Sequence, residues 1–297
     1  MAELQFGAWW HYGLFSSFMA AGFLLTNQHY KLRSSTLMLW RGFGVAAVFL
    51  PFMLYAGLPT NPVFYYAVVA QGVIVSIHDR LSIESTARFG AGITSRLLPV
   101  GIWITFVLWL LMKPAYRASL IDNPEKMVAV CGALLVAVVA MFFLRKDAIS
   151  KEAALFLLPC VLFFGLIDIF NKTAMDAAGD AVKGAYAYGC LMSLVVGICT
   201  LFFRKFAEHK KVAFMEAFQG RALKCGLILI VFMVTAMFAK NLAMFGAANP
   251  AYVGLLALSS PLWIAVYNRL TGHRDKTNLW AGMLFVLSAA LLIAFTR

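Results

Sequence analysis

Ten stretches of roughly twenty mostly apolar residues follow one another along this 297-residue chain with barely a linker between them. At about 1.5 Å of rise per residue, about twenty apolar residues cross the ~30 Å hydrocarbon core of a bilayer as one helix. Lipid offers no hydrogen bonds, so a crossing segment must be a helix or part of a closed barrel. Continuous apolar runs, in place of period-two alternation, exclude the barrel. The spans read from the sequence are 6–27, 35–57, 62–82, 89–112, 127–144, 153–174, 184–203, 223–246, 250–269 and 278–296. The predicted class is an all-α membrane protein with ten transmembrane helices.

Composition fits that class. The chain is 62% hydrophobic and 13% charged, against roughly 25% charged in an ordinary soluble domain. The first span begins near Met1 without a basic leader, which predicts a retained span and no cleaved signal. Cys131, Cys160, Cys190, Cys199 and Cys225 lie in or beside apolar spans without metal-ligand spacing, and read as small buried hydrophobes. No G-x-S-x-G elbow, H-E-x-x-H pair, Asp-rich prenyltransferase motif or Walker lysine loop is present. The expectation is a protein that is not an enzyme and uses no cofactor and no metal.

A net charge of +12 raises nucleic acid as a partner, yet the basic residues follow membrane topology instead. Loops after the odd-numbered spans, with their near ends, hold 17 of the 25 Lys and Arg, the opposite loops hold seven, and Arg41 lies inside span 2. The positive-inside rule then places the odd loops in the cytoplasm and both termini outside. An even span count puts both termini on one side whichever way the chain inserts. The longest loop, 204–222, reads as a topology determinant, with Phe206, Val212, Phe214 and Phe218 available to headgroups.

The ten spans divide into two fives at the charged joint Arg145–Glu152, giving halves 1–147 and 148–297. The halves share landmarks. Span 1 ends in Thr26-Asn27-Gln28 and span 6 in Phe170-Asn171-Lys172. Span 3 runs into His78-Asp79-Arg80-Leu81, and span 8 carries Ala239-Lys240-Asn241-Leu242. Spans 4 and 9 each hold a proline, Pro99 and Pro261, expected as mid-helix hinges. Because five is odd, the second half must insert upside down, the arrangement by which many secondary transporters build a midplane site.

The segment 240–295, with its polar start, small residues, proline-centred helix and Gly-containing last helix, resembles the closing block of the drug/metabolite transporter superfamily. Residues 78–111 resemble the same block in the first half, and Arg41-Gly42-Phe43 resembles the arginine-aromatic start of span 2 in its EamA-like branch. The loop 113–126 replaces the short Gly-Glu turn usual there. The resemblance implies two inverted five-helix repeats around a cavity lined by spans 1, 3, 4, 6, 8 and 9, in a plasma or inner membrane. It also implies cytoplasmic termini, opposite to the charge count.

An ionisable group at the bilayer centre costs at least ~2.5 kcal/mol, so it should face a cavity or a partner. Candidate substrate contacts are Arg41, Arg96, Asn27, Asn171, Lys240, Tyr186 and Tyr188. Arg96, beside Pro99, reads either as a cavity cation or as a structural strut, and Arg41 divides the same way. Lys240 either snorkels or faces the cavity. His78, Asp79 and Arg80 read either as an interfacial cluster or as a proton-sensitive gate in which Asp79 pairs with Arg41, Arg88 or Arg96. Asp168 and Lys172 stand at i, i+4 on span 6, a self-neutralising pair or a coupling contact. Glu84 and Arg88 read as a cap at the turn after span 3, and Asp176 and Asp180 as solvated loop charges.

Basic residues outnumber acidic ones within or near the spans, which favours an anionic or zwitterionic solute. The expected function is gradient-driven transport of such a metabolite by alternating access, coupled to a proton or another solute. A flippase for a lipid-linked headgroup and a non-transporting assembly or sensor protein remain as alternatives.

Overall fold

The computed structural model describes residues 9–32, 34–89, 98–143, 150–207, 217–272 and 278–296. Among them every regular element is a helix. In chain order these are α1 (Trp9–Tyr30), α2 (Ser34–Ala56), α3 (Pro62–Phe89), α4 (Gly101–Met112), α5 (Pro114–Ile121) and α6 (Pro124–Phe143). There follow α7 (Lys151–Ala178), α8 (Ala181–Ala207), α9 (Gly220–Gly246), α10 (Pro250–Ala257), α11 (Ser260–Leu270) and α12 (Leu279–Thr296).

Among the described residues, six segments are long and apolar enough to cross a membrane: Ser34–Ala56, Pro124–Phe143, Lys151–Ala178, Ala181–Phe206, Gly220–Gly246 and Pro250–Leu270. A seventh is added if α4 and α5, bent by 103° at Lys113, act as one broken span. Helix α3 is diluted by Gln71, His78, Asp79 and Arg80, and α1 by His11, Asn27, Gln28 and His29. Apolar side chains cover the surface as well as the core. Leu54, Tyr66, Leu155, Leu270 and Trp280 are more than two-thirds exposed, while Gln71, Asp168, Asn171, Ser193 and Asn249 are almost wholly buried. An apolar exterior around an apolar core that holds a few buried polar groups suits a chain solvated by lipid.

The closest helix pairs are α1 with α9, α3 with α7, α6 with α12, and α2 with α8. Each joins the first half of the chain to the second, so the halves interleave and share one core. Hydrogen bonds link two of these pairs and also join α4 to α7. Ser16 Oγ donates to Ala236 O at 2.9 Å, Thr105 Oγ1 to Gly165 O at 3.1 Å, and Ser288 Oγ to Ala133 O at 2.8 Å. Gly42 sits on the backbone of α8 at Gly197, a close approach that any side chain would block.

Several expected boundaries move. The turn expected after residue 82 is absent, because α3 continues to Phe89; the side chains of Glu84 and Arg88 lie outside the description. Span 4, expected from residue 89, has its described helix from Gly101, after a 3₁₀ turn at Leu98–Val100 that contains Pro99. Pro99 lies in this turn, and residues 90–97 before it lie outside the described residues. Span 9 is broken at Leu258–Ser259, and Pro261 occupies the first turn of α11. The loop 113–126 contains α5. Helix α7 extends to Ala178, ended by Gly179 at φ 75°, so Asp176 belongs to a helix; Asp180 caps α8 by accepting from Lys183 N at 2.7 Å. Trp9, at the start of α1, is buried against Tyr252.

Candidate functional site

The polar residues of α2, α3, α7, α8 and α9 form one buried layer. Its first ion pair joins Arg41 of α2 to Asp79 of α3. Arg41 lies in a π-helical turn, Trp40–Gly44. Such turns add one residue to the helical register and are frequent at functional sites. Trp40 anchors the turn, donating Nε1–H to Ala217 O at 2.8 Å and packing on Phe218, which meets this ring instead of headgroups. His78 Nδ1 approaches the other oxygen of Asp79 at 2.9 Å. Arg80 points away from this group, with its guanidinium over the Phe203 ring at 5.3 Å.

The second ion pair joins Lys240 Nζ of α9 to Asp168 Oδ1 of α7 at 2.7 Å. Asp168 is 1% exposed, and its Oδ2 has no hydrogen-bond partner among the described residues. That oxygen lies against Gly254 of α10, where a Cβ would come within 2.6 Å. The self-neutralising Asp168–Lys172 pair is therefore not formed. Lys172 turns the other way, to Asp176 Oδ1 at 2.6 Å and Phe245 O at 3.3 Å. The reason is electrostatic: an intrahelical pair would satisfy Asp168 and strand Lys240, whose partly buried charge is better met by a carboxylate from a facing helix. Asp176, expected in a solvated loop, also has Lys113 of the α4–α5 bend at 3.8 Å.

Tyr188 of α8 stands between the two pairs. It is buried, hydrogen-bonds Gln71, and lies within electrostatic range of both Asp168 and Arg41. His78 likewise feels both Arg41 and Lys240. Tyr186 is aromatic packing, stacked on Phe52 and Phe238 with centroids 5.3 and 4.9 Å away. Asn171 is buried with its Oδ1 unpartnered among the described residues, and Asn241 Nδ2 donates to Ala185 O at 3.4 Å.

The structure thus brings together Arg41, His78, Asp79, Asp168, Tyr188 and Lys240. Lys172 and Asn171 adjoin them on α7, whereas Arg80 and Tyr186 do not take part. No described contact connects Asn27, near the end of α1, to the layer, and Arg96 lies outside the described residues. The excess of cations expected in the cavity is offset here, since Arg41, Lys172 and Lys240 each face a carboxylate.

Two features escaped the sequence reading. Gln71 was legible as the lone amide in the apolar run of span 3. The break in span 9 had no sequence signal for its partner: Ser259 Oγ meets Ser17 Oγ of α1 at 2.6 Å, and Trp263 Nε1 donates to Ser17 Oγ at 3.0 Å. Beside it, a groove of about 380 Å³ is lined by Phe18, Gly22, His29, Phe232, Trp263 and Tyr267. No metal-ligand cluster occurs among the described residues. No family model and no curated protein sequence matches this chain.

Proposed function

We propose that this chain is a gradient-driven secondary transporter of a small anionic or zwitterionic metabolite. It crosses the membrane ten times as two inverted five-helix halves, 1–147 and 148–297, and works by alternating access. The observation that carries the reading is the Asp168–Lys240 pair, buried in an apolar bundle with one carboxylate oxygen unsatisfied. Intramembrane charges are costly and mark solute or ion pathways when they persist. A solute bearing a carboxylate or phosphate competes with Asp168 for Lys240, and a zwitterion satisfies both partners at once.

The packing supports the inverted halves. Exchanging each span with the one five places on turns the contact of spans 1 and 8 into that of 6 and 3, and the contact of 4 and 6 into that of 9 and 1. The contacts of 2 with 7 and of 5 with 10 map onto themselves. Rocking of two such halves about a shared layer exposes it to either side in turn.

The apolar groove between α1, α9 and α11 favours a second reading, a flippase whose substrate keeps an acyl chain in lipid. Thermal unfolding of the purified protein against phosphorylated metabolites, amino acids, nucleosides and lipophilic cations tests the choice. Stabilisation by an anionic or zwitterionic class, lost in Lys240→Gln, supports the metabolite transporter. Stabilisation by lipid-linked compounds alone moves the flippase to the front.

A further inference from the structure

We infer that α7 carries a charge relay joining Lys240 to Lys113, and that its shift frees Lys240 for an oxyanion of the substrate. This inference rests on the transporter reading and specifies how its site is gated. Asp168, Lys172 and Asp176 stand at i, i+4 and i+8, so they share one face of α7 over about 12 Å. The cations that flank this ladder come from other helices: Lys240 from α9 at the buried end, Lys113 from the α4–α5 bend at the open end.

The observed pairing is one of two that the ladder permits. Here Lys240 holds Asp168 at 2.7 Å, Lys172 holds Asp176 at 2.6 Å, and Lys113 stands off at 3.8 Å, with its side chain 47% exposed. In the alternative, Lys172 turns one helical turn back to Asp168, Asp176 passes to Lys113, and Lys240 is released. Three features favour that exchange. Asp168 Oδ2 is an unfilled acceptor among the described residues. An acid placed N-terminal to a lysine at i, i+4 pairs better than the reverse order, so Asp168–Lys172 is intrinsically preferred to the observed Lys172–Asp176. The exchange also leaves each of the two carboxylates paired with a lysine, so no carboxylate is left buried and bare.

An oxyanion bound at Lys240 therefore draws Lys172 to Asp168 and closes Lys113 onto Asp176. Loading of the buried site is transmitted to the junction of the α4–α5 bend with α7. Lys172 acts as a positioning residue and touches no substrate.

The test is the rate at which a membrane-impermeant amine-reactive ester labels Lys113 in protein held in lipid nanodiscs, read by peptide mass spectrometry. Lys240→Gln releases Asp168, so Lys113 labelling is expected to fall about two- to fivefold, the protection that a half-exposed ion pair gives. Lys240→Gln with Asp168→Asn removes the acceptor that draws Lys172, and labelling returns to the wild-type rate. Excess inorganic phosphate, as a simple oxyanion, should protect Lys113 in the wild type and not in Asp168→Asn. That arm decides the matter if Lys240→Gln does not fold. Equal rates in wild type and Lys240→Gln, protection that persists in the double variant, or no effect of phosphate where the single variant is not recovered, overturns the relay. None of these readouts involves transport, so their failure leaves the transporter reading to its own assay.

Discussion

The two buried ion pairs of the polar layer differ in chemistry. Arg41–Asp79 uses a guanidinium, a planar and rigid cation, with Nη1 on one carboxylate oxygen and Nε unpartnered among the described residues. It is held by a π turn, by Trp40 bonded to Ala217, and by His78 on the remaining oxygen. Lys240–Asp168 uses an ammonium, a point charge on a flexible stem, and leaves one carboxylate oxygen open beside Gly254. In the first pair the cation comes from α2 and the carboxylate from α3; in the second the cation comes from α9 and the carboxylate from α7. The first pair is built as a strut and the second as a switch.

If that contrast holds, Arg41→Leu has the largest effect on stability. It strands Asp79 in the bundle and should cost about 3–5 kcal/mol, read as a lowered unfolding midpoint in nanodiscs. Arg41→Leu with Asp79→Leu should recover most of the loss, because a buried pair replaced by apolar groups is often neutral. A double variant as unstable as the single one would show that the strut does more than neutralise charge.

Lys240→Gln sharpens the contrast from the other side. With Lys172 one turn away to take over Asp168, the loss should stay near about 1–3 kcal/mol, the cost of an imperfectly satisfied buried acceptor. Transport should nonetheless be lost. A stability loss equal to that of Arg41→Leu would make Lys240 a second strut.

Gly254→Ala presses a methyl group on Asp168 Oδ2, which turns aside for about 1 kcal/mol, the mild end of overpacking. Its expected signature is a small drop in unfolding midpoint together with altered transport, whereas unaltered transport would separate Gly254 from the switch. The floor of the series is Leu155→Ala, on the outward face of α7 and 72% exposed. It should stay within about 0.5 kcal/mol of the wild type by the same midpoint.

Much of this fold was legible in the sequence because lipid imposes a length and a composition on each crossing helix. The apolar runs located nearly every helix, and the short charged or Gly-Asp joints located most of their ends. The misplaced boundaries have local causes. Pro261 marks the entry of α11 because proline lacks an N–H, and the first turn of a helix is where that loss costs least. The polar layer was legible as residues but not as partners. Asp168 has Lys172 at helical spacing, and only the packing of α9 on α7 brings the competing Lys240. The Ser17–Ser259 contact joins residues 242 positions apart, and no periodicity encodes it. Spacing reports who shares a face; partners across the bundle are set by which helices meet.

Uptake into proteoliposomes under an imposed proton or solute gradient tests the central claim most directly, with wild type and Lys240→Gln run side by side on carboxylate, phosphate and zwitterionic metabolites. Gradient-dependent accumulation of one such class by the wild type, abolished in Lys240→Gln while that variant stays folded, is the predicted result. Uptake that is indifferent to the gradient or survives the substitution, or no uptake above empty liposomes for any compound, would contradict it.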